Sequence, residues 1–120
     1  MKVAVIGSRS LLIDPSIFIP ENISCIISGG ANGIDSLVEN YADKHNILKC
    51  IYRPEYHKYG RNAPLMRNKT IVDEADLIIA LWDGKSSGTK YTIAYAKKLK
   101  KPIKIYVFLS PDSSDEKNKK

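Results

Sequence analysis

The stretch Ser28-Gly29-Gly30-Ala31-Asn32-Gly33-Ile34-Asp35 constrains this chain more than any other, because an apolar run enters it and a helical pattern leaves it. Ile23, Cys25, Ile26 and Ile27 read as a buried strand, and Ile34, Leu37, Val38, Tyr41 and Ala42 recur at the spacing of one helical face. Three glycines in five residues separate the two. Gly29, Gly30 and Gly33 admit positive φ and let a ligand approach bare N–H groups. The helix that follows presents unpaired amides and the positive end of its dipole, so the turn suits a phosphate or a carboxylate. Asp35 falls in the first helical turn, where its charge favours the dipole and its carboxylate is an acceptor for a ribose hydroxyl. The same residues also fit a plain strand-to-helix turn with a good cap, since one glycine-rich turn alone is a weak motif.

The rest of the chain alternates in the same way. Lys2 to Ile6 form a first strand that ends in Gly7-Ser8-Arg9, where Gly7 is expected to turn the chain sharply and Arg9 to offer a bidentate anion-binding side chain. Asp14-Pro15 start a short helix that Pro20 stops near Ile19. The glycine turn leads into a helix from Gly33 to His45, and Ile47 to Tyr52 form a third strand. Glu55 to Asn62 show no period and are expected as a loop over a site. Tyr56 and Tyr59 in it either stack on a base or pack the loop onto the body. Ala63-Pro64 open a helix that ends near Glu74. Ala75 to Trp82 are apolar on both faces, as a central parallel strand must be. A second glycine-rich loop, Asp83 to Thr89, is followed by a helix to Leu99 and a last strand from Ile103 to Leu109. The polar segment from Ser110 to Lys120 is expected to be disordered.

Strands that alternate with helices argue for an α/β fold, a single Rossmann-like three-layer sandwich with a five-stranded parallel sheet. The expected strand order is 3-2-1-4-5. That order sets strands one and four side by side at the point where the winding reverses, and ligands of such sheets bind there, outside the carboxyl ends of the strands. Gly7-Ser8-Arg9, Ser28 to Asp35 and Asp83 to Thr89 therefore converge on one crevice. Three polar or glycine-rich loops on one edge point to a phosphate-bearing ligand.

At 120 residues, 43% of them hydrophobic and 27% charged, the chain suits one globular domain over residues 1–109. No apolar run approaches the roughly 20 residues needed to cross a bilayer, and no basic-then-apolar signal opens the chain, so a cytoplasmic location and no membrane partner are expected. Cys25 and Cys50 lie in strands as reduced core residues. His45, His57, Asp14, Asp35 and Asp83 lack ligand spacing, so no metal and no other cofactor is expected. The formal charge of +6 and a pI near 9.3 fit an anionic partner, nucleotide or nucleic acid. Much of the excess is Lys97, Lys98, Lys100, Lys101 and Lys104, which read as a solvated helix end rather than a phosphate-tracking patch.

Gly7-Ser8-Arg9, Ser28 to Asp35, Arg67-Asn68 and Ser87-Gly88-Thr89-Lys90-Tyr91-Thr92-Ile93-Ala94 together resemble the SLOG superfamily of Rossmann-like proteins. Trp82 to Thr89 and Ala63 to Asn68 are similar to motifs of its small stand-alone branch. The resemblance implies a nucleotide or nucleotide-derived ligand. Gly29, Gly30, Ala31, Gly88 and Thr89 would give donors to phosphate, Arg9 and Arg67 would neutralise its charge, and Asp35, Asn32 or Asp83 would accept from ribose. Gly7, Ser8, Ser28, Gly33, Asn68, Ser87 and Thr92 complete the expected site, with Trp82 either stacking on a base or ending the core of its strand. The superfamily also contains DNA-processing protein A, which implies single-strand DNA as an alternative partner, and the LONELY GUY phosphoribohydrolases, which cleave base from ribose phosphate. Arg67 matches the catalytic arginine of those hydrolases. Their glutamate, three residues past a Gly-Thr pair, is Thr92 here, which leaves Asp83 as a substitute carboxylate and argues against an enzyme. A homodimer is expected of so small a domain.

Overall fold

The run Leu77-Ile78-Ile79-Ala80-Leu81 is buried along its whole length, and the sheet is laid out on either side of it. The computed structural model describes residues 1–8, 10–11, 13–30 and 33–109. Five strands, β1 (Lys2–Gly7), β2 (Cys25–Ser28), β3 (Leu48–Ile51), β4 (Leu77–Trp82) and β5 (Ile103–Val107), form one sheet in the order β3-β2-β1-β4-β5. Every neighbouring pair is parallel. The expected α/β architecture and strand order are those observed, and the arrangement is Rossmann-like.

Alternation along β1 assigns the two faces. Val3 and Val5, with Ile26, Ile79 and Leu81, meet Ile34, Val38 and Ala42 of helix α1 (Ile34–Lys44). Ala4 and Ile6, with Ile27, Ile78 and Ala80, meet Ile71, Val72, Ile93 and Ala96 of helices α3 (Ala63–Glu74) and α4 (Ser87–Lys98). On the α1 side a 3-10 turn, Pro15–Phe18, covers the β5 half of the sheet. Asp14 caps it through Ser16 N–H at 2.9 Å, and Phe18 packs on Tyr106 with ring centroids 4.5 Å apart.

Three sequence readings change. Glu55 to Asn62 are not a loop: α2 (Tyr56–Tyr59) and a 3-10 turn (Gly60–Asn62) run straight into α3. The Glu55 carbonyl accepts from Lys58 and Tyr59 N–H, both at 3.0 Å, and one turn of helix is too short to leave a period in the sequence. α4 begins at Ser87, two residues before the expected start. Lys101 is no solvated charge, because its Nζ donates to the Asp73 and Ala75 carbonyls at 3.0 and 2.8 Å and so caps the end of α3. The thiols of Cys25 and Cys50 are free and 3.1 Å apart, and burial pushes the Cys25 thiol up to about 11. Residues 110–120, with Arg9, Ala31 and Asn32, lie outside the described residues.

Gly7 is not a turn residue of positive φ; it is a point of close approach. A Cβ there would stand 2.6, 2.8 and 2.9 Å from Cγ1, Cβ and Cγ2 of Ile34, which seats the start of α1 on the end of β1. Gly7→Ala is expected to lower the urea-unfolding free energy by about 1–3 kcal/mol, the range for overpacking. Two of the three closest atoms are the γ carbons of Ile34, so Gly7→Ala combined with Ile34→Ala should cost less than the two separate losses added together.

Candidate functional site

At the carboxyl edge of β1 and β4 the chain leaves in two directions, and a cavity of about 420 Å³ opens between the departing loops. Gly7, Ser8, Gly29, Asp35, Arg67, Asn68, Asp83, Gly88, Thr89 and Thr92 of the expected site line it. Its size lies within the usual range for small-molecule sites. Ser28, Gly30, Gly33, Trp82 and Ser87 do not line it, and Arg9, Ala31 and Asn32 are outside the described residues.

One wall is the start of α4. Ser86 is the N-cap by position, yet its hydroxyl makes no cap bond. Its Oγ faces Ser8 Oγ at 3.0 Å instead, and Ser8 Oγ also lies 3.4 Å from Thr89 Oγ1 and accepts from Asp83 N–H at 3.1 Å. Hydroxyls that would otherwise close the helix end are thus tied to β1. Gly88 and Thr89, in the first turn, face the cavity without a side-chain cap, and a Cβ on Gly88 would meet nothing within 4 Å. The geometry leaves first-turn amides and the positive dipole end beside open space.

Asp83 braces this wall from below. Its Oδ1 accepts from Ser86 and Lys85 N–H, each at 2.8 Å, and its Oδ2 accepts from Ser10 Oγ at 2.7 Å. The Ser86 amide, then the Ser10 hydroxyl and the Lys85 amide, hold the carboxyl down at about 2. It is therefore an ionised acceptor at neutral pH, with one oxygen engaged by its own loop and the other by Ser10. Trp82 serves the same loop, since its Nε1 donates to the Ser86 carbonyl at 3.0 Å.

The opposite wall belongs to α3. Arg67 donates through Nη1 to the Gly29 carbonyl and through Nε to Asn68 Oδ1 at 2.7 Å. Asn68 Nδ2 donates to Thr92 Oγ1 at 2.9 Å, and Thr92 donates to the Gly88 carbonyl at 2.9 Å. This chain of bonds runs along the cavity lining from the glycine turn after β2 to the first turn of α4. Thr92, 1% exposed, is consumed by it. Ser28 looks inward: its hydroxyl donates to Glu39 on α1 at 2.8 Å and accepts from Gly30 N–H at 3.2 Å.

The glycines after β2 have distinct duties. Gly30 and Gly33 have φ of 71° and 79°, the conformation expected of them. Gly29 does not; it is bare because the Arg67 guanidinium lies over it, 2.5 Å from where a Cβ would stand. Ser10, Pro64 and Leu65 also line the cavity and were not expected from sequence, and so does Ser86, which lies in the expected Asp83 to Thr89 loop but was not singled out. Ser86 had a readable signal in Asp83-Gly84-Lys85-Ser86, an Asp whose carboxylate turns back on the amides two and three residues on. Pro64 and Leu65 had none, because which face of a first helical turn meets a cavity depends on the helix's docking.

Among the described residues no cluster of His, Cys, Asp and Glu could hold a metal ion, and no helix is long and apolar enough to cross a membrane. Comparison of the chain with protein-family models, curated proteins and solved structures finds no match.

Because the folded Asp83 carboxyl is depressed, its contribution to stability is complete above the ordinary carboxylate range and is lost as pH falls toward about 2. Asp83→Asn should lower stability at pH 7. It should also flatten the decline between about pH 4 and pH 2 in denaturant titrations. An acid limb as steep as that of the parent would show that Asp83 is not held this way.

Proposed function

We propose that this domain binds a nucleotide or nucleotide-derived ligand, with the phosphate seated against the first turn of α4. The observation that carries the reading is the uncapped start of α4 at Gly88 and Thr89, facing a cavity whose other wall bears the Arg67 side chain. Helix N-termini of this kind take phosphate through amides and dipole together, and a guanidinium adds charge. The position agrees with the general rule for open α/β sheets. The resemblance of Ser28 to Asp35 and of Ser87 to Ala94 to SLOG proteins supports the same ligand class. In this reading Asp35, buried at the cavity wall, and Asp83 are the carboxylates of the cavity lining that could accept from a ribose hydroxyl.

The geometry counts against cleavage of the phosphoribohydrolase type. Thr92 Oγ1 is bonded on both sides, and both Asp83 oxygens are engaged by Ser10, Lys85 and Ser86.

A thermal-shift series tests the reading with AMP, ADP-ribose, NAD, cyclic dinucleotides and a short oligothymidine, each at low and high salt. A ligand present at about 100 times its dissociation constant adds roughly 2.7 kcal/mol and raises Tm by several degrees in a domain of this size. Gly88→Glu meets open space and favours the helix dipole, so it should hold or raise the ligand-free Tm while abolishing the shift. A shift that survives Gly88→Glu would remove the start of α4 from the site. A shift given by the oligonucleotide alone and lost at high salt would replace the proposal with single-strand DNA binding.

A further inference from the structure

The larger cavity offers a phosphate much and a base little. Its lining contains no aromatic side chain among the described residues, and Trp82, expected at its mouth, is engaged with the Ser86 carbonyl. Aromatic surface lies next door. A second cavity of about 260 Å³ is lined by Tyr52, Arg53, Glu55, Tyr59, Met66 and Thr70 among others, and Arg67 lines both cavities.

The partition between them is built in an unusual way. Arg67 lies over Gly29 and donates to its carbonyl, while Arg53 lies over Gly30, 2.8 Å from where a Cβ would stand, and donates to the Gly30 carbonyl at 3.1 Å. Two guanidinium groups therefore cover consecutive bare glycines on the turn that follows β2. Each is held in place by hydrogen bonds, Arg67 also through Nε to Asn68 Oδ1, and among the described residues Arg53 forms no ion pair with a carboxylate. Arg67 thus stands between the cavities, and the smaller one also holds Arg53, two phenol rings and a thioether.

We propose that the smaller cavity receives the heterocyclic base of a ligand whose phosphate lies in the larger one, with the sugar crossing the Arg67 partition. The inference rests on the phosphate reading above and assigns the other half of the same ligand. Tyr52 and Tyr59 supply faces for stacking, Arg53 and Arg67 supply cation–π contact, and the Glu55 carboxylate accepts from an exocyclic amine on the base. Of the two tyrosines Tyr59 is the more accessible, at 36% exposed, whereas Tyr52 is half-buried, so truncating Tyr59 disturbs the fold less.

The test compares ribose 5-phosphate with the mononucleotides AMP, GMP, CMP and UMP by calorimetry and by amide chemical shifts. At least one mononucleotide is expected to bind about tenfold more tightly than ribose 5-phosphate, and Tyr59→Ala should remove most of that advantage while leaving ribose 5-phosphate affinity unchanged. In the parent protein the Tyr59 and Met66 amides should shift with the nucleotide and stay still with ribose 5-phosphate, whereas Gly88 and Thr89 should shift with both. If ribose 5-phosphate binds at Gly88 and no mononucleotide binds more tightly, or Tyr59→Ala leaves the advantage intact, the base assignment is overturned and the phosphate reading stands. If nothing in the panel moves Gly88 or Thr89, both are overturned.

Discussion

The structure depends on the pairing of β1 with β4. Five consecutive residue pairs join them, from Val3 with Leu77 to Gly7 with Leu81, and both strands are buried on both faces. A parallel pair requires long crossovers, and here the chain winds to β2 and β3 on one side and to β5 on the other. The loops at the carboxyl ends of β1 and β4 are thereby drawn apart, and the gap cannot be filled by either. The larger cavity is a consequence of that separation.

Around the gap, polar groups are spent on holding loops rather than left pointing at it. Asp83, Ser10 and Ser8 lock the turn before α4, and Asn68 with Thr92 locks α4 to α3. The result is a preorganised edge in which the start of α4 stays uncapped. A helix start whose nearest hydroxyls are tied elsewhere remains electropositive without reorganisation when an anion arrives. On the other wall Arg67 is held by the Gly29 carbonyl, and next to it Arg53 is held by the Gly30 carbonyl, so both guanidinium groups keep their charge and lose much of their freedom.

Much of this was legible in the sequence. Runs apolar on both faces identified β1 and β4, helical spacing identified α1, and their alternation carried the sheet order. The glycine and serine clusters after β1, β2 and β4 marked the edge that bears the cavity. What stayed hidden was the use made of individual residues. Trp82 reads as a stacking platform or a core residue, and it braces the Ser86 carbonyl. Gly7 and Gly29 read as flexible turn residues, and both are bare because a distant side chain, Ile34 or Arg67, lies against them.

The sequence by itself determined the elements and their layering, because periodicity and the burial of apolar faces are properties of local stretches. It also determined that three polar turns would share one edge, since parallel strands put all their carboxyl ends there. Only the tertiary structure decided which donors remain open. Whether Ser86 caps α4 or bonds Ser8, and whether Arg53 and Arg67 face solvent or cover the glycine turn, depends on contacts 23 to 78 residues apart along the chain. Such contacts are set when β2 pairs with β3 and when α3 and α4 dock on the sheet, and no local pattern encodes them.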